Sequence, residues 1–380
     1  MRFSDSATQQ LSDSTSLQNF FTPHSPLPTP HPMPLPRPDL STISTVFPDV
    51  YAYIESLEAE LEQLTTPRGR ASAPREAAPP EPSEPPTTIN VITMTVSGLI
   101  KRTPRHFYPR QRRSGMGIFD IDTEESDPPT LLALADQEET LLVLTESARV
   151  FTLPVASLPE QPVRGRGAAL SDLLPGLPGE AIRFLGPVKT SGALAMLSER
   201  GYVRVLRYNY VGNNRPGTPL LDTARFGPLV SASWMAENEE EVFVATAQGE
   251  AIRFKAKMVH PNGSLGIRLE RGDTAVAVCG TRDEGSVFLL GDDGKGTIRQ
   301  MSGFRSNKAP GAGGKNALKT DKLVAALSVR DQDDIFIISR LSKIIRFQAV
   351  EIPAKEGAVQ GVICMTLRAD ACVGAVVANL

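Results

Sequence analysis

QRRSGMG at 111–117 places two adjacent arginines among small residues, a combination that suits an exposed loop beside a charged ligand. Basic residues recur further along the chain in short strand-like stretches: LIKR, YVRV, AIRF, TIRQ and IIRF. Lysine and arginine neutralise phosphates and release the counterions bound to them. A repeated set of such side chains is therefore typical of a surface that binds a polyanion.

The sequence lacks the residue sets that carry catalysis or hold metals. Its four histidines, His24, His31, His106 and His260, form neither a zinc-spaced His/Cys cluster nor an H-E-x-x-H motif. GAGGKN at 311–316 resembles a phosphate loop but lacks the Ser or Thr that must follow the lysine. We therefore predict no enzymatic site, no metal and no cofactor.

The charge of the chain is unevenly distributed. The formal net charge is −3, and residues 1–86 contain 5 Lys and Arg against 11 Asp and Glu. This leaves 35 of the 40 basic and 32 of the 43 acidic residues for 87–380. A mildly basic body behind an acidic segment is compatible with a polyanionic partner.

Cysteine use and apolar runs indicate the compartment. Cys279, Cys364 and Cys372 each lie in a short apolar run, which predicts buried thiols and a reducing environment. No apolar run reaches the roughly 18 residues that a membrane span needs. We predict a cytoplasmic protein with no membrane partner.

Residues 1–86 divide into three segments. Residues 1–47 are rich in Ser, Thr and Pro and predict a disordered tail, because proline fixes φ and lacks an N–H donor. Residues 66–86 are again rich in Pro, Ala and Glu and predict a linker. Residues 48–65 between them predict a short acidic helix whose apolar stripe consists of Val50, Ile54, Leu57, Leu61 and Leu64.

This helix is too short to be stable alone, so its stripe must dock on another surface. Three surfaces remain open: the body of the same chain, a second copy through self-association, or a partner protein.

Residues 87–380 contain six copies of one pattern, in which an apolar run, an aliphatic–basic strand and a Gly-containing turn succeed one another. The copies recur at intervals of 46 to 53 residues, marked by Ile100, Val150, Val203, Ile252, Ile298 and Ile345. A unit of this size cannot bury its sheet alone, so the copies must pack around an axis. The sequence predicts an all-β, six-bladed, propeller-like domain with blades at about 87–139, 140–192, 193–239, 240–285, 286–332 and 333–380.

If rotation relates the blades, basic residues at equivalent points form an arc on the rim of the disc. Such an arc suits a curved duplex, whereas the alternative interpretation is that these side chains only solvate the outer face of each strand. The predicted DNA-binding residues are Lys101, Arg102, Arg105, Arg110, Gln111, Arg112, Arg113, Gly115, Gly117, Arg164, Arg166, Arg204, Arg207, Arg253, Lys255, Lys257, Arg299, Arg305, Lys315, Lys343 and Arg346.

The repeat period, the I-R-F strand ends and the 111–117 loop resemble the C-terminal domain of the DNA-cleaving (A-type) subunits of DNA gyrase and topoisomerase IV, over about 87–380. The resemblance implies a β-pinwheel, a propeller variant with strands exchanged between neighbouring blades. It also implies DNA wrapping through a first-blade heptad, Q-R-R-G-G-K-G. Ser114 replaces a glycine of that heptad and Met116 its lysine, which implies a weakened loop. The matching positions are Gln111, Arg112, Arg113, Gly115 and Gly117.

In the family, the DNA-cleaving module with its nucleophilic tyrosine lies upstream of the pinwheel. Here Tyr51 and Tyr53 lie on the acidic helix, without metal-binding carboxylates or a basic partner. We therefore expect no DNA cleavage by this chain.

The leading hypothesis is sequence-independent binding and bending of duplex DNA in the nucleoid, accessory to DNA topology. The alternatives are a protein-interaction propeller and a separate, non-catalytic subunit of a type II topoisomerase. Topoisomerase subunits are therefore candidate partners for the apolar stripe of the 48–65 helix.

Overall fold

The computed structural model describes residues 84–378, together with Val50 and Ile54, whose backbone is helical. The rest of the predicted helix at 48–65, the predicted tail at 1–47 and the linker up to residue 83 lie outside the described residues. The described residues 84–378 belong to one compact unit.

Short strands make up most of the regular secondary structure in the described chain. The first three repeats contain β1 (Ile89–Thr95), β2 (Leu99–Pro104), β3 (Ile118–Phe119), β4 (Pro129–Asp136), β5 (Thr140–Thr145), β6 (Arg149–Pro154), β7 (Ala168–Ala169), β8 (Ile182–Pro187), β9 (Ala193–Ser198), β10 (Tyr202–Arg207), β11 (Thr218–Pro219) and β12 (Leu229–Met235). The last three contain β13 (Glu241–Thr246), β14 (Glu250–Lys255), β15 (Ser264–Leu265), β16 (Ala275–Thr281), β17 (Ser286–Gly291), β18 (Lys295–Gln300), β19 (Lys315–Asn316), β20 (Leu323–Val329), β21 (Asp334–Ser339), β22 (Lys343–Gln348), β23 (Ala354–Lys355), β24 (Val362–Ile363) and β25 (Cys372–Ala378). Short helices in this part of the chain are α1 (Leu170–Leu173), α2 (Tyr208–Gly212) and α3 (Thr223–Phe226).

The strands form six sheets with one common order. These orders are β4-β1-β2-β7, β8-β5-β6-β11, β12-β9-β10-β15, β16-β13-β14-β19, β20-β17-β18-β23 with β24 also on β18, and β25-β21-β22-β3. The first strand of each order contacts its counterparts in both neighbouring sheets, including β25 against β4. These six strands therefore line the centre of a closed ring, and the short fourth strands lie at its outer edge.

Each outer-edge strand belongs to the repeat that follows its sheet. β7 leaves the second repeat and pairs with β2, with Ala168 opposite Ile100. β3 leaves the first repeat and pairs with β22 of the sixth, with Ile118 opposite Ile344. This last exchange closes the ring. The predicted six-bladed β-pinwheel is confirmed.

The turn between the two middle strands of each sheet has a repeated local chemistry. Its last residue has a positive φ, as at Gly98 (89°) and Ala148 (57°), which suits a three-residue hairpin loop that ends in a left-handed residue. In four of the six sheets a hydroxyl at the end of the preceding strand accepts a hydrogen bond from the next strand, as Thr95 Oγ1 does from Leu99 N at 3.1 Å. These turns end each apolar run and set the register of the hairpin.

The hydrophobic core lies between adjacent sheets. Ile92 of the first sheet packs in one cluster with Val143 of the second, and Val91 packs with Phe336 across the boundary between the first and sixth sheets. Because each sheet is packed between two others, both faces of its middle strands are covered, and all six residues of β13 are buried.

Candidate nucleic-acid interface

The predicted site residues differ widely in exposure. The buried ones are Lys101, Arg102, Arg253, Arg299 and Arg346. The half-buried ones are Arg105, Gln111, Arg113, Gly115, Gly117, Arg204, Lys255 and Lys343, and the exposed ones are Arg110, Arg112, Arg164, Arg166, Arg207, Lys257, Arg305 and Lys315. The prediction that the first group lies on an exposed arc is wrong, because alternate positions of a strand packed on both faces do not reach solvent.

Two buried cations neutralise carboxylates inside the fold. Lys101 Nζ lies 2.8 Å from Asp120 Oδ1, and both side chains are fully buried. Burial lowers the pKa of Lys101, while the charge of Asp120 opposes that shift. Arg253 Nη1 lies 3.0 Å from the Glu241 carboxylate, and the Arg253 side chain is only 4% exposed.

Arg346 forms the densest ion-pair cluster, at the boundary between the first and sixth sheets. Its guanidinium lies 2.7 Å from Asp334 and 2.8 Å from Glu84, and it donates to the carbonyl of Tyr108 at 3.0 Å. Burial alone would lower the pKa of Arg346, but the hydrogen bonds to Glu84 and Asp334 raise it. Arg105 donates to the same Glu84 at 2.9 Å.

Arg299 is buried without a hydrogen-bond partner for Nε or Nη1 among the described residues. Its guanidinium carbon lies 5.4 Å from the ring centroid of Phe304, a cation–π contact. Burial lowers the pKa of Arg299.

The repeated basic residues are not all equivalent in register. Arg102, Arg253 and Arg346 occupy the same position of their strands. Arg204 lies one position earlier and Arg299 one position later. The aliphatic–basic pattern therefore marks the strands correctly but does not align them.

Several half-buried or exposed cations are also engaged within the fold. Arg110 Nε lies 2.9 Å from Asp334, and Lys255 Nζ lies 3.2 Å from Glu241. Arg204 Nε donates to the carbonyl of Pro261 at 2.8 Å, and burial lowers the pKa of Arg204.

The loop at 111–117 crosses the outer edge and lies on the sixth sheet. Gln111 N donates to the carbonyl of Arg346 at 2.7 Å, and Ser114 N donates to that of Cys364 at 2.9 Å. Thr366 Oγ1 donates back to the carbonyl of Ser114 at 2.6 Å. The loop backbone is therefore held at both ends before β3 joins β22.

The two arginines of this loop differ. Arg113 Nε donates to the carbonyl of Glu351 at 3.0 Å and Nη1 to that of Ile363 at 3.2 Å, so its guanidinium is held between the segment after β22 and β24 of the fifth sheet. Arg112 is exposed and has no side-chain partner within 84–378. Met116 is 44% exposed where a lysine would carry charge.

The glycines of the loop permit close backbone packing. A Cβ on Gly117, whose φ is 73°, would lie 2.7 Å from the carbonyl oxygen of Ile344. A Cβ on Gly115 would lie 2.7 Å from Gln111 Oε1. Gly117 therefore excludes a side chain, whereas a side chain at Gly115 would require the Gln111 amide to move, so both glycines permit the observed path of the loop backbone.

Basic residues concentrate in the six segments that follow the outer middle strands and cross the edge. We call these segments the outer-edge loops: residues 105–117, 155–167, 208–217, 256–263, 301–314 and 349–361. They contain eleven Lys and Arg against three Glu. Eight of the eleven are exposed and have no side-chain partner among the described residues: Arg112, Arg164, Arg166, Arg215, Lys257, Arg305, Lys308 and Lys355.

The two faces of the ring have the opposite balance. On the hairpin face, the segments that return from outer to inner strands are residues 120–128, 170–181, 220–228, 266–274, 317–322 and 364–371. They contain twelve Asp and Glu against six Lys and Arg. On the other face, the segments between successive repeats are residues 137–139, 188–192, 236–240, 282–285 and 330–333, with nine acidic and three basic residues. Among these segments, basic residues therefore outnumber acidic ones only along the circumference.

The comparison with known families matches the residues at the ring closure. Residues 90–127 and 333–379 match the family described as DNA gyrase C-terminal domain, beta-propeller. The first stretch contains the 111–117 loop and β3, and the second contains β22, with which β3 pairs. The predicted resemblance to the DNA gyrase C-terminal family is confirmed.

Similar curated proteins are A-type subunits of DNA gyrase. The one from Chlamydia muridarum is 27% identical over 293 residues, covering 73% of this chain and 35% of that protein. The one from Staphylococcus epidermidis is 26% identical over 292 residues, covering 73% of this chain and 33% of that protein. The chain therefore spans about a third of the length of these relatives.

Solved structures support the same fold. A DNA gyrase A C-terminal domain superposes with a TM-score of 0.66 at 20% identity, covering 76% of this chain and 98% of that one. The C-terminal domain of DNA topoisomerase IV has a TM-score of 0.54 at 16% identity, covering 77% and 94%. At these identities the likeness establishes the fold alone.

Three exposed cations of the gyrase-like pinwheel were missed by the sequence interpretation: Arg215, Lys308 and Lys355. They lie outside the aliphatic–basic strands that guided it. A glycine ends each outer-edge loop, immediately before a short strand: Gly217, Gly314 and Gly361 do so as Gly117 does. Each missed cation lies a few residues before such a glycine, so this glycine is the sequence signal that marks its loop.

Other site types have no support within residues 84–378. No group of three or more His, Cys, Asp or Glu side chains there is arranged to hold a metal ion. No helix in the same part is long and apolar enough to cross a membrane. All three cysteines are buried, as predicted.

Proposed function

We propose that the pinwheel binds duplex DNA along its circumference, independently of sequence, and bends the duplex against the outer-edge loops. The observation that carries this proposal is the separation of charge between a basic edge and two acidic faces. Phosphates are attracted to the edge and repelled from either face, which restricts the duplex to a curved path.

The exposed, unpartnered cations account for affinity without sequence preference. Contacts to phosphates fix the register of a protein on DNA but do not read bases. If all eight outer-edge cations engage phosphates, the slope of log affinity against log salt is about −7, at roughly −0.9 per phosphate. Bending a site of 20–30 base pairs by 40–90° costs on the order of 1–6 kcal/mol, which several such contacts offset.

The relatives extend this proposal to a cellular role. The curated relatives are named as components of DNA gyrase, and this chain matches only about a third of their length. We propose that the pinwheel supplies DNA binding in the nucleoid beside a type II topoisomerase, and that it does not cleave DNA itself.

A matched pair of arginine variants tests the binding surface. Arg112→Ala removes an exposed outer-edge charge, whereas Arg368→Ala removes an exposed charge on the hairpin face. We expect Arg112→Ala to weaken binding of a labelled linear duplex and to make the salt slope about 0.9 less negative. Arg368→Ala should leave both unchanged. Equal effects of the two variants, or no duplex binding by the parent chain, would refute the proposal.

A further inference from the structure

The second outer-edge loop repeats the local structure of the first. QPVRGRG at 161–167 occupies the same place on the first sheet that QRRSGMG occupies on the sixth. Gln161 N donates to the carbonyl of Arg102 at 2.9 Å, as Gln111 N does to that of Arg346 at 2.7 Å. Arg102 and Arg346 hold the same position of their strands, so the two loops start from equivalent anchors.

Both glycines of the second loop meet the same kind of contact as those of the first. A Cβ on Gly167 would lie 2.7 Å from the carbonyl oxygen of Ile100, the distance found between Gly117 and Ile344. A Cβ on Gly165 would lie 3.0 Å from Gln161 Oε1. The second loop is therefore a complete structural copy, although only Gln161, Gly165 and Gly167 repeat the letters of the first.

The copy differs from the first loop in its charges. Arg164 takes the position of Ser114, and Arg166 takes the position of Met116. Both arginines are exposed and have no side-chain partner within the described chain. In the first loop the Arg113 guanidinium is held by the carbonyls of Glu351 and Ile363, so only Arg112 has no side-chain partner within the described chain.

Arg164 also occupies an unfavourable backbone conformation. Its φ is 69°, close to the 67° of Ser114, in the left-handed region that glycine tolerates far better than arginine. A charged side chain retained at a position suited to glycine points to a role for that side chain.

The two loops are neighbours on the circumference. Arg164 N donates to the carbonyl of Asp120 at 2.5 Å, and Asp122 N donates to that of Gly165 at 3.2 Å. The chain that leaves the first loop is therefore hydrogen-bonded to the second, and one duplex along the edge passes both.

We propose that the second outer-edge loop is a phosphate-binding site in its own right, in which Arg164 and Arg166 contact the backbone phosphates of duplex DNA. Arg112 of the first loop contacts the same duplex further along. The inference rests on the proposed function and assigns to the second blade the charge that Met116 lacks in the first.

The test compares charge and backbone effects in the full chain with a labelled linear duplex. Arg164→Gly combined with Arg166→Met should weaken binding at least tenfold and make the salt slope about 1.8 less negative, at roughly 0.9 per phosphate. Arg112→Ala should change the slope by half as much. Ser114→Gly is the backbone control, since it relieves the same φ without removing charge, and it should leave affinity unchanged.

Thermal unfolding separates binding from folding. Arg164→Gly should unfold at or above the temperature of the parent chain, because it relieves a positive φ. Adding Met116→Arg to the double variant places a cation at the position equivalent to Arg166 and should restore part of the lost affinity. An unchanged salt slope in the double variant, with a reduced slope in Arg112→Ala, would overturn this inference and leave DNA binding in place. A parent chain that does not bind duplex DNA would overturn both.

Discussion

Lys101 Nζ and Asp120 Oδ1 lie 2.8 Å apart, and neither side chain is exposed. Asp120 also accepts hydrogen bonds from Thr93 Oγ1 at 2.6 Å and Tyr108 Oη at 2.5 Å. Its backbone N donates to the carbonyl of Ser342 in the sixth repeat at 2.7 Å. One buried carboxylate thus ties the first sheet to the strand that closes the ring, and a lysine predicted to bind phosphate is part of the fold.

Replacing Lys101 is therefore a stability experiment. Lys101→Ala leaves Asp120 buried without its cation, and removing one partner of a buried pair costs about 3–5 kcal/mol. We expect the free energy of unfolding in urea to fall by that amount. Arg368→Ala, on an exposed loop, should change it by less than about 0.5 kcal/mol. Full stability with lost DNA affinity would contradict the structural role.

Gly117 and Gly176 form a second matched pair. Both have a positive φ, 73° and 84°, but a Cβ on Gly117 meets Ile344 O whereas one on Gly176 has nothing within 4 Å. Gly176→Ala should cost about 1–2 kcal/mol, from the backbone conformation alone. Gly117→Ala should cost a further 1–3 kcal/mol or so, because the added methyl pushes β3 from β22. Urea unfolding of both variants measures the difference, and equal costs would exclude a closure role for Gly117.

The repeat pattern was sufficient to predict the architecture. Apolar runs such as EVFVAT, followed by turns that need a positive φ, are local signals, and a unit too small to bury its own sheet must pack radially. The 111–117 loop was also identifiable, because five of its seven residues match the heptad of the family that it resembles.

The repeat pattern did not predict which Lys and Arg side chains are buried and which are exposed. Arg253 and Arg112 are the same residue type, yet one is buried beside Glu241 and the other is exposed. Successive side chains of a strand point to opposite faces of its sheet, but in a ring of packed sheets both faces lie in the interior. The ion-pair partners Asp120 and Glu84 lie 19 and 262 residues from Lys101 and Arg346, so only the folded chain brings them together.

The burial of the three cysteines predicts that their thiols react slowly in the folded protein. Burial raises the pKa of Cys364 to about 12 and also raises those of Cys279 and Cys372. Because the thiolate is the reactive form, the folded protein should react with a thiol reagent only as fast as it opens, and all three thiols should react in denaturant. Rapid labelling of one thiol under native conditions would show that its blade opens locally.

We predict that the contribution of Glu84 to the free energy of unfolding depends on pH, because its carboxylate forms ion pairs at the boundary between the first and sixth sheets. Its carboxylate accepts hydrogen bonds from Arg105 at 2.9 Å and from Arg346 at 2.8 Å. Burial alone would raise the pKa of Glu84, but the hydrogen bonds and charges of Arg346 and Arg105 hold it below its ordinary value. The folded state therefore favours the ionised carboxylate, and its contribution is present above the unfolded pKa of about 4.3.

That contribution must disappear as the pH falls through the lower pKa of the folded state. Glu84→Gln removes the charge at every pH, so we expect it to lower the free energy of unfolding by about 1.5–3 kcal/mol at pH 7. The gap between parent and variant should then close as the solution is acidified below the unfolded pKa, because protonation makes the parent resemble the variant. Asp172→Asn, at an exposed carboxylate without a side-chain partner in the described chain, is the control and should follow the parent throughout. A gap that persists unchanged at acid pH would mean that Glu84 stabilises the boundary through its shape and not through its charge.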